Sequence, residues 1–136
     1  MGLIFDTCIL IQIERSNTLP PFHPNNSEES VYISAITASE LLMGVHYADT
    51  EARRIKRSTF VESILAKIPI LNFTKEIARV HAEISTYLSK QGKNIGAHDL
   101  IIAATAIAHD YTLLTANEKE FSRVPALKLA QHKVLA

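Results

Sequence analysis

Short apolar runs alternate with stretches of helical periodicity along this chain, and that alternation fixes the class of fold. Leu3-Ile4-Phe5, Val31 to Ser34, Ile70 to Phe73, Thr112 to Thr115 and Leu127 to Leu129 read as strands. Between them lie helical patterns: a first helix around Cys8, Ile9, Leu10, Ile11 and Ile13, then Thr37 to Ala48, Thr50 to Ile68 and Lys75 to Lys90. A nearly all-apolar segment, Leu100 to Ala108, and a short helix, Asn117 to Phe121, complete the set. Strands alternating with helices predict a parallel sheet covered on both faces, so the expected class is α/β, three-layered, with five strands.

The boundaries have local reasons. Thr74 is a good N-cap for Lys75 to Lys90, whose buried stripe should be Ile77, Val80, His81, Ile84 and Leu88, and Gly92 should close that helix. Pro69 ends the helix before it, in which Ile55, Phe60, Val61, Ile64 and Leu65 should face the core. Leu100 to Ala108 is apolar nearly all round, which predicts a central helix whose alanines let neighbouring backbone come close. Ser16 to Ser30 carries three prolines and three asparagines without apolar period and reads as a loop, either a passive linker or a binding lid.

A chain of 136 residues forms one domain, 1–136, and buries roughly 68% of its unfolded surface, enough for a core without disulfide or structural metal. Its 14 basic and 14 acidic residues cancel, so a nucleic-acid partner must be held by a local patch. The candidate is Arg53-Arg54-Ile55-Lys56-Arg57, which is either a solvated helix face or a contact for backbone phosphates. Cys8, the single cysteine, lies in an apolar run and reads as a small buried hydrophobe. The first residues lack a basic leader, and no apolar stretch approaches the roughly 18 residues of a membrane span. The expectation is a soluble, unprocessed, cytoplasmic protein.

The residues that carry chemistry stand where strands hand over to helices. Asp6 follows the first strand, Glu40 falls in the first turn after the second, and Asp99 opens the central helix. Asn117 and Glu120 follow the strand ending at Thr115. In open α/β sheets ligands bind beyond the carboxyl ends of the strands, so these loops would deliver oxygens to one crevice. Carboxylates gathered there repel and persist together only with a cation or a shared proton. Mg²⁺ or Mn²⁺ answers that need, taking one or two carboxylates, waters and phosphate oxygens. Helix capping is the competing reading: Asp6 can be an N-cap, Thr37-x-x-Glu40 and Asn117-x-x-Glu120 resemble capping boxes, and Asp99 suits a helix dipole. Spacing alone leaves both open.

Other chemistries lack their motifs. The four glycines form neither a dinucleotide nor a nucleoside-triphosphate loop, and there is no G-x-S-x-G elbow. His81-Ala-Glu83 has half of a zinc-deaminase signature, but one cysteine cannot supply the other half. His98, beside Asp99, is the one histidine near the crevice, and a peripheral role suits it as well.

Four segments together resemble the PIN-domain ribonucleases, and among them the VapC toxins of type II toxin-antitoxin pairs. They are Leu3 to Thr7, Ile33 to Val45, Ile95 to Ala106 and Leu114 to Phe121, in family order and spanning nearly the whole chain. The resemblance implies a PIN-like fold and metal-dependent endonucleolytic cleavage of RNA, with a tRNA or rRNA loop as the family-level substrate. It matches Asp6, Glu40 and Asp99 to the acidic metal site for Mg²⁺ or Mn²⁺, and Thr7 and Thr115 to hydroxyls beside it. Asn117 stands where many members have a fourth aspartate, which puts a second metal in doubt. Asp110 stands where relatives place a glycine after the central helix, and should be a turn residue able to take positive φ.

The resemblance further implies a VapB-like antitoxin that covers the acidic groove, a homodimer, and a heterotetramer or larger complex with the antitoxin. Dimerisation could join two Arg53 to Arg57 patches into one RNA track. Two rivals belong to other classes. One is a catalytically weak PIN-like module acting with its antitoxin as a DNA-binding regulatory complex, motivated by Asn117. The other is a receiver-like phospho-acceptor at Asp6, disfavoured because no lysine lies near a strand end in the expected place.

Overall fold

The structure is a computed structural model and describes residues 2–16 and 30–130. Chain order is β1 (Gly2–Phe5), α1 (Thr7–Ser16), β2 (Ser30–Ser34), α2 (Ala35–His46), α3 (Glu51–Lys67), β3 (Ile70–Leu71), α4 (Lys75–Lys90), α5 (Ala97–His109), β4 (Thr112–Leu114), α6 (Glu118–Phe121) and β5 (Lys128–Ala130). The five strands pair in the order β3-β2-β1-β4-β5, every pair parallel, as the alternation predicts. The order reverses between β1 and β4, where the crossovers leave to opposite sides and a crevice opens at the strand ends. Leu3 pairs with Thr112 and Phe5 with Leu114, so Asp6 and Thr115 leave the sheet side by side.

Strand pleating divides the core in two. Leu3 and Phe5 join Ile9, Leu10, Ile13, Leu41, Val61 and Ile64 under α1, α2 and α3. Ile4 and Leu113 join Ile77, Ile84, Leu88, Ile102 and Phe121 on the other face. There α5 presents Ala103, Ala104 and Ala106 fully buried, the small side chains that let it lie close to its neighbours. Gly2 is required by packing: a Cβ there would meet the Tyr111 ring at 2.5 Å.

Several boundaries move from their sequence expectation. The expected loop from Ser16 to Ser30 lies outside the described residues at 17–29, while Ser16 ends α1 and Ser30 begins β2. Helix α2 begins two residues before Thr37, because the Ser34 side chain caps it by accepting from the Ile36 N–H. Ile55 is 61% exposed rather than facing the core, since the first turns of α3 stand clear of the body and burial begins only at Arg57. Thr50 and Thr74 cap α3 and α4 as their types suggest, accepting from the N–H groups of Arg53 and Ile77. Among the described residues no helix is long and apolar enough to cross a membrane.

Left-handed backbone closes two helices and one turn before β5. Gly92 has φ 66° after α4, and Asp110 has φ 57° after α5, as expected of a turn residue. Ala126 has φ 67° without glycine's freedom or a local side-chain hydrogen bond to offset it. Ala126→Gly is expected to stabilise the protein by about 1 kcal/mol, after glycine's greater unfolded-state entropy is subtracted. A thermal melt should show a rise of roughly 2–5 °C, and no rise would contradict strain at this turn.

Candidate active site

Asp6 is 5% exposed at the end of β1, and its carboxylate is held on both oxygens. The Thr7 N–H donates to Oδ1 at 2.8 Å, and the Thr115 hydroxyl donates to Oδ2 at 2.7 Å. Thr115 Oγ1 in turn accepts from the Asn117 N–H at 2.9 Å, which leaves its single proton for Asp6. A buried hydroxyl thus links β1 to the loop after β4. Thr115→Val keeps the shape but strands the Asn117 N–H and removes a donor from a buried carboxylate. The expected cost is about 2 kcal/mol, read from urea unfolding, and a neutral substitution would contradict this wiring.

Glu40 lies on the sixth residue of α2 and does not belong to a capping box at Thr37, because the helix is already capped by Ser34. Its Oε1 accepts from the Thr7 hydroxyl at 2.7 Å, and its Oε2 lies 3.3 Å from His98 Nδ1. Thr37, fully buried, sits 3.1 Å from the Thr7 hydroxyl and supports it from below. Asp99 occupies the first turn of α5, half-buried. Burial, and then the charges of Asp6, Glu120 and Glu40, push its carboxyl up to about 6, with His98 opposing. The helix N-terminus that would favour its charge does not outweigh these neighbours.

Asn117 stands at the N-cap position of α6 but does not cap it. Its Nδ2 donates to Glu120 Oε2 at 2.6 Å, and the Gly96 N–H donates to Glu120 Oε1 at 3.0 Å. These two donors, Gly96 foremost, hold the Glu120 carboxyl below its usual range. The pair Asn117-x-x-Glu120 therefore ties the loop after β4 to the start of α5 instead of forming a capping box. Gly96 lies against two acids: a Cβ there would make ordinary contacts, 3.4 Å from Asp99 Oδ2 and 4.0 Å from Glu120 Oε1.

Residues 3–127 match the model of the PIN domain, and Ribonuclease VapC1 of Rickettsia felis is 42% identical over 129 residues, covering 95% of each chain. The chain is a PIN-domain protein of the VapC family. Ribonuclease VapC of Rickettsia bellii is 40% identical, again over 95% of both chains. Among solved structures, VapBC2 from Rickettsia felis, bound to a DNA fragment from their promoter, superposes with a TM-score of 0.85 at 29% identity. That match covers 96% of this chain and 98% of the other.

This PIN domain brings Asp6, Glu40, Asp99 and Glu120 into one electrostatic cluster, with Thr7, Thr115 and Asn117 wired to them. As the side chains are placed, no three His, Cys, Asp or Glu among the described residues converge on one point. The donor set nevertheless fits a hard cation. Every carboxylate offers oxygen, and the Asp99 carboxylate makes no hydrogen bond among the described residues, which leaves both its oxygens open to a ligand. One or two carboxylates with waters suffice for Mg²⁺.

The basic segment is less unified than its sequence suggests. Arg53 pairs with Asp49 at 2.8 Å in the open, whereas Arg57 turns towards Glu14 at 3.7 Å and donates to the Gly44 carbonyl at 3.1 Å. Arg54 and Lys56 are exposed.

Two residues gain a place that their sequence context hid. Cys8 is half-buried with its Sγ 3.2 Å from Asp6 Oδ2, so it belongs to the site's wall rather than to the core alone. Burial pushes its thiol up to about 11, the Ala116 N–H opposing and Asp6 adding to the rise, so it stands as a neutral thiol. Gly96 lies in the Ile95 to Ala106 segment without an assigned role there, and its N–H bond to Glu120 gives it one.

Proposed function

We propose that this chain is a metal-dependent RNA endonuclease, the toxin of a toxin-antitoxin pair. The observation that carries the reading is the Asp6, Glu40, Asp99 and Glu120 cluster at the sheet's switch point, with the Asp99 proton affinity raised first by burial and then by its acidic neighbours. Relatives named Ribonuclease VapC and a neighbour captured as a VapBC complex support the class of activity and of partner.

In this reading Asp6, Asp99 and Glu40 hold Mg²⁺ or Mn²⁺. When bound, the cation supplies Lewis-acid chemistry, lowering the pKa of a water and neutralising charge at phosphorus. The protein's own groups hold that arrangement still. Thr115 and the Thr7 N–H fix both Asp6 oxygens, and the Thr7 hydroxyl and His98 fix those of Glu40. Asn117 and Glu120 orient the entrance to the site by joining the loop after β4 to the start of α5. Asn117 contributes an amide rather than a carboxylate, which favours a single tightly held ion.

A VapB-like antitoxin would cover these acids, and the toxin would act as a homodimer assembling into a heterotetramer or larger complex. The alternative is a catalytically weak module that works with its antitoxin on DNA. The departure at Asn117 and the promoter-bound neighbour favour it. Labelled single-stranded RNA and DNA of one sequence, incubated with the purified chain and Mn²⁺ or EDTA, separate the two. RNA cleavage that EDTA abolishes is the expected result. A folded protein that cuts neither polymer, yet retards promoter DNA with its partner, would replace this reading with the alternative.

A further inference from the structure

Arg123 follows α6 on a short turn pinned from both sides, by Phe121 and Val124, each buried in the core. Its own N–H donates to the Glu120 carbonyl at 3.2 Å. From there the guanidinium reaches the segment between α4 and α5, where Nη1 donates to the Asn94 carbonyl at 3.2 Å. The guanidinium makes no other hydrogen bond and no ion pair among the described residues. Glu120 is close enough to feel its charge, after the Gly96 and Asn117 donors, but commits its two oxygens to those donors. An anchored guanidinium with most of its fork open therefore stands on the rim of the acid cluster.

We propose that Arg123 holds a backbone phosphate of the RNA strand next to the bond to be cut. The inference rests on the ribonuclease function proposed above. A polyanion entering a cluster of carboxylates is repelled, and the chain has no net charge to draw it in, so beside any bound metal a cation on the rim has to hold it. The basic segment of α3 is the weaker candidate. Arg53 and Arg57 already face Asp49 and Glu14, and the first turns of α3 stand clear of the body. A guanidinium fork matches two phosphate oxygens at once. Lys93 precedes Asn94 and Lys119 lies on α6; both are exposed and make no ion pair among the described residues, so they extend the same rim. A protein partner that covers the acids has to bring cations to them, and an open guanidinium on their rim opposes those cations.

The test uses Asp99→Asn protein, so that RNA is bound without being consumed. A labelled oligouridylate is titrated by fluorescence anisotropy at fixed Mn²⁺ across a series of potassium chloride concentrations. Adding Arg123→Gln should weaken binding about tenfold at low salt and lower the slope of log affinity against log salt by about 0.7, the share of one phosphate contact on a single strand. Arg123→Lys keeps the charge without the fork, so it should keep the slope while binding more weakly than arginine. Circular dichroism melts confirm that each variant folds. An unchanged slope in Arg123→Gln, with RNA still bound, overturns the phosphate contact and leaves the ribonuclease reading standing. A slope that falls with Arg54→Gln or Lys56→Gln instead assigns the contact to α3 and overturns it too. Polyglutamate bound as tightly as RNA, and as dependent on Arg123, assigns the fork to a protein carboxylate and likewise overturns it. No binding of RNA, with no cleavage by the unaltered chain, overturns it together with the ribonuclease reading.

Discussion

Asp99→Asn is expected to lower RNA cleavage by at least about a thousandfold and, without metal, to make the protein more stable. The first effect follows from the proposed role of Asp99, a carboxylate that would hold the cation; an ion in that role contributes several kcal/mol of transition-state stabilisation, and about 4 kcal/mol is three orders of magnitude in rate. The second follows from the sign of the proton linkage. The Asp99 carboxyl sits at about 6 in the folded protein against 3.8 for the free side chain, so folding binds its proton more tightly. That contribution is fully present below pH 3.8 and is lost as pH rises through 6. The half-exposed position discounts the two-unit shift, leaving about 1–2 kcal/mol. Urea unfolding in EDTA should therefore find the variant more stable than the parent at pH 7, the gap closing by pH 4. With Mn²⁺ present the order should reverse, because the ion binds the parent's carboxylate and not the amide. A variant that is destabilised in EDTA at pH 7 would contradict the charge cluster.

Phe121→Ala should cost about 3–5 kcal/mol, a large share of the roughly 5–15 kcal/mol available to a domain of this size. Phe121 is fully buried at the end of α6, in the core that Ile4, Ile102 and Leu113 also build. The four-residue helix has little stability of its own, so this ring is what seats the segment carrying Asn117 and Glu120. Urea melts should show the midpoint falling sharply, and at temperatures where the variant remains folded its cleavage should weaken. Phe121→Leu should retain more than half of the lost stability. A cost below about 1 kcal/mol for the alanine variant would mean that α6 is held by something else.

The architecture was legible because its signals are local and repeated. Each strand is short and apolar, each long helix has its own stop or start, and Pro69, Thr74, Gly92 and Asp110 act through backbone chemistry that needs no partner. Asp6, Glu40 and Glu120 could be placed near strand ends by the same logic, but Asp99 opens α5, which follows helix α4 rather than a strand, so its approach to the others comes from the packing of α5 against the sheet. Capping motifs were misleading. Thr37-x-x-Glu40 has the letters of a capping box, yet Ser34 caps the helix one residue before it starts, which turns Thr37 inward and frees Glu40 for the site. Ile55 failed for a different reason: helical period says which residues share a face, not how far the helix extends beyond the body. The roles of Cys8 and Gly96 depend on residues about a hundred and two dozen positions away, at Thr115 and Glu120, and no local pattern encodes such distances.

The most direct measurement is to incubate the chain, freed of any antitoxin, with total cellular RNA and Mn²⁺ or Mg²⁺, and to map the new 5′ ends by sequencing beside EDTA and Asp99→Asn controls. The predicted result is cutting at a few discrete sites, absent from both controls. Cuts that persist in EDTA or in the variant, or no cuts from a folded protein shown to bind Mn²⁺, would contradict the assignment of these acids to a metal-dependent ribonuclease.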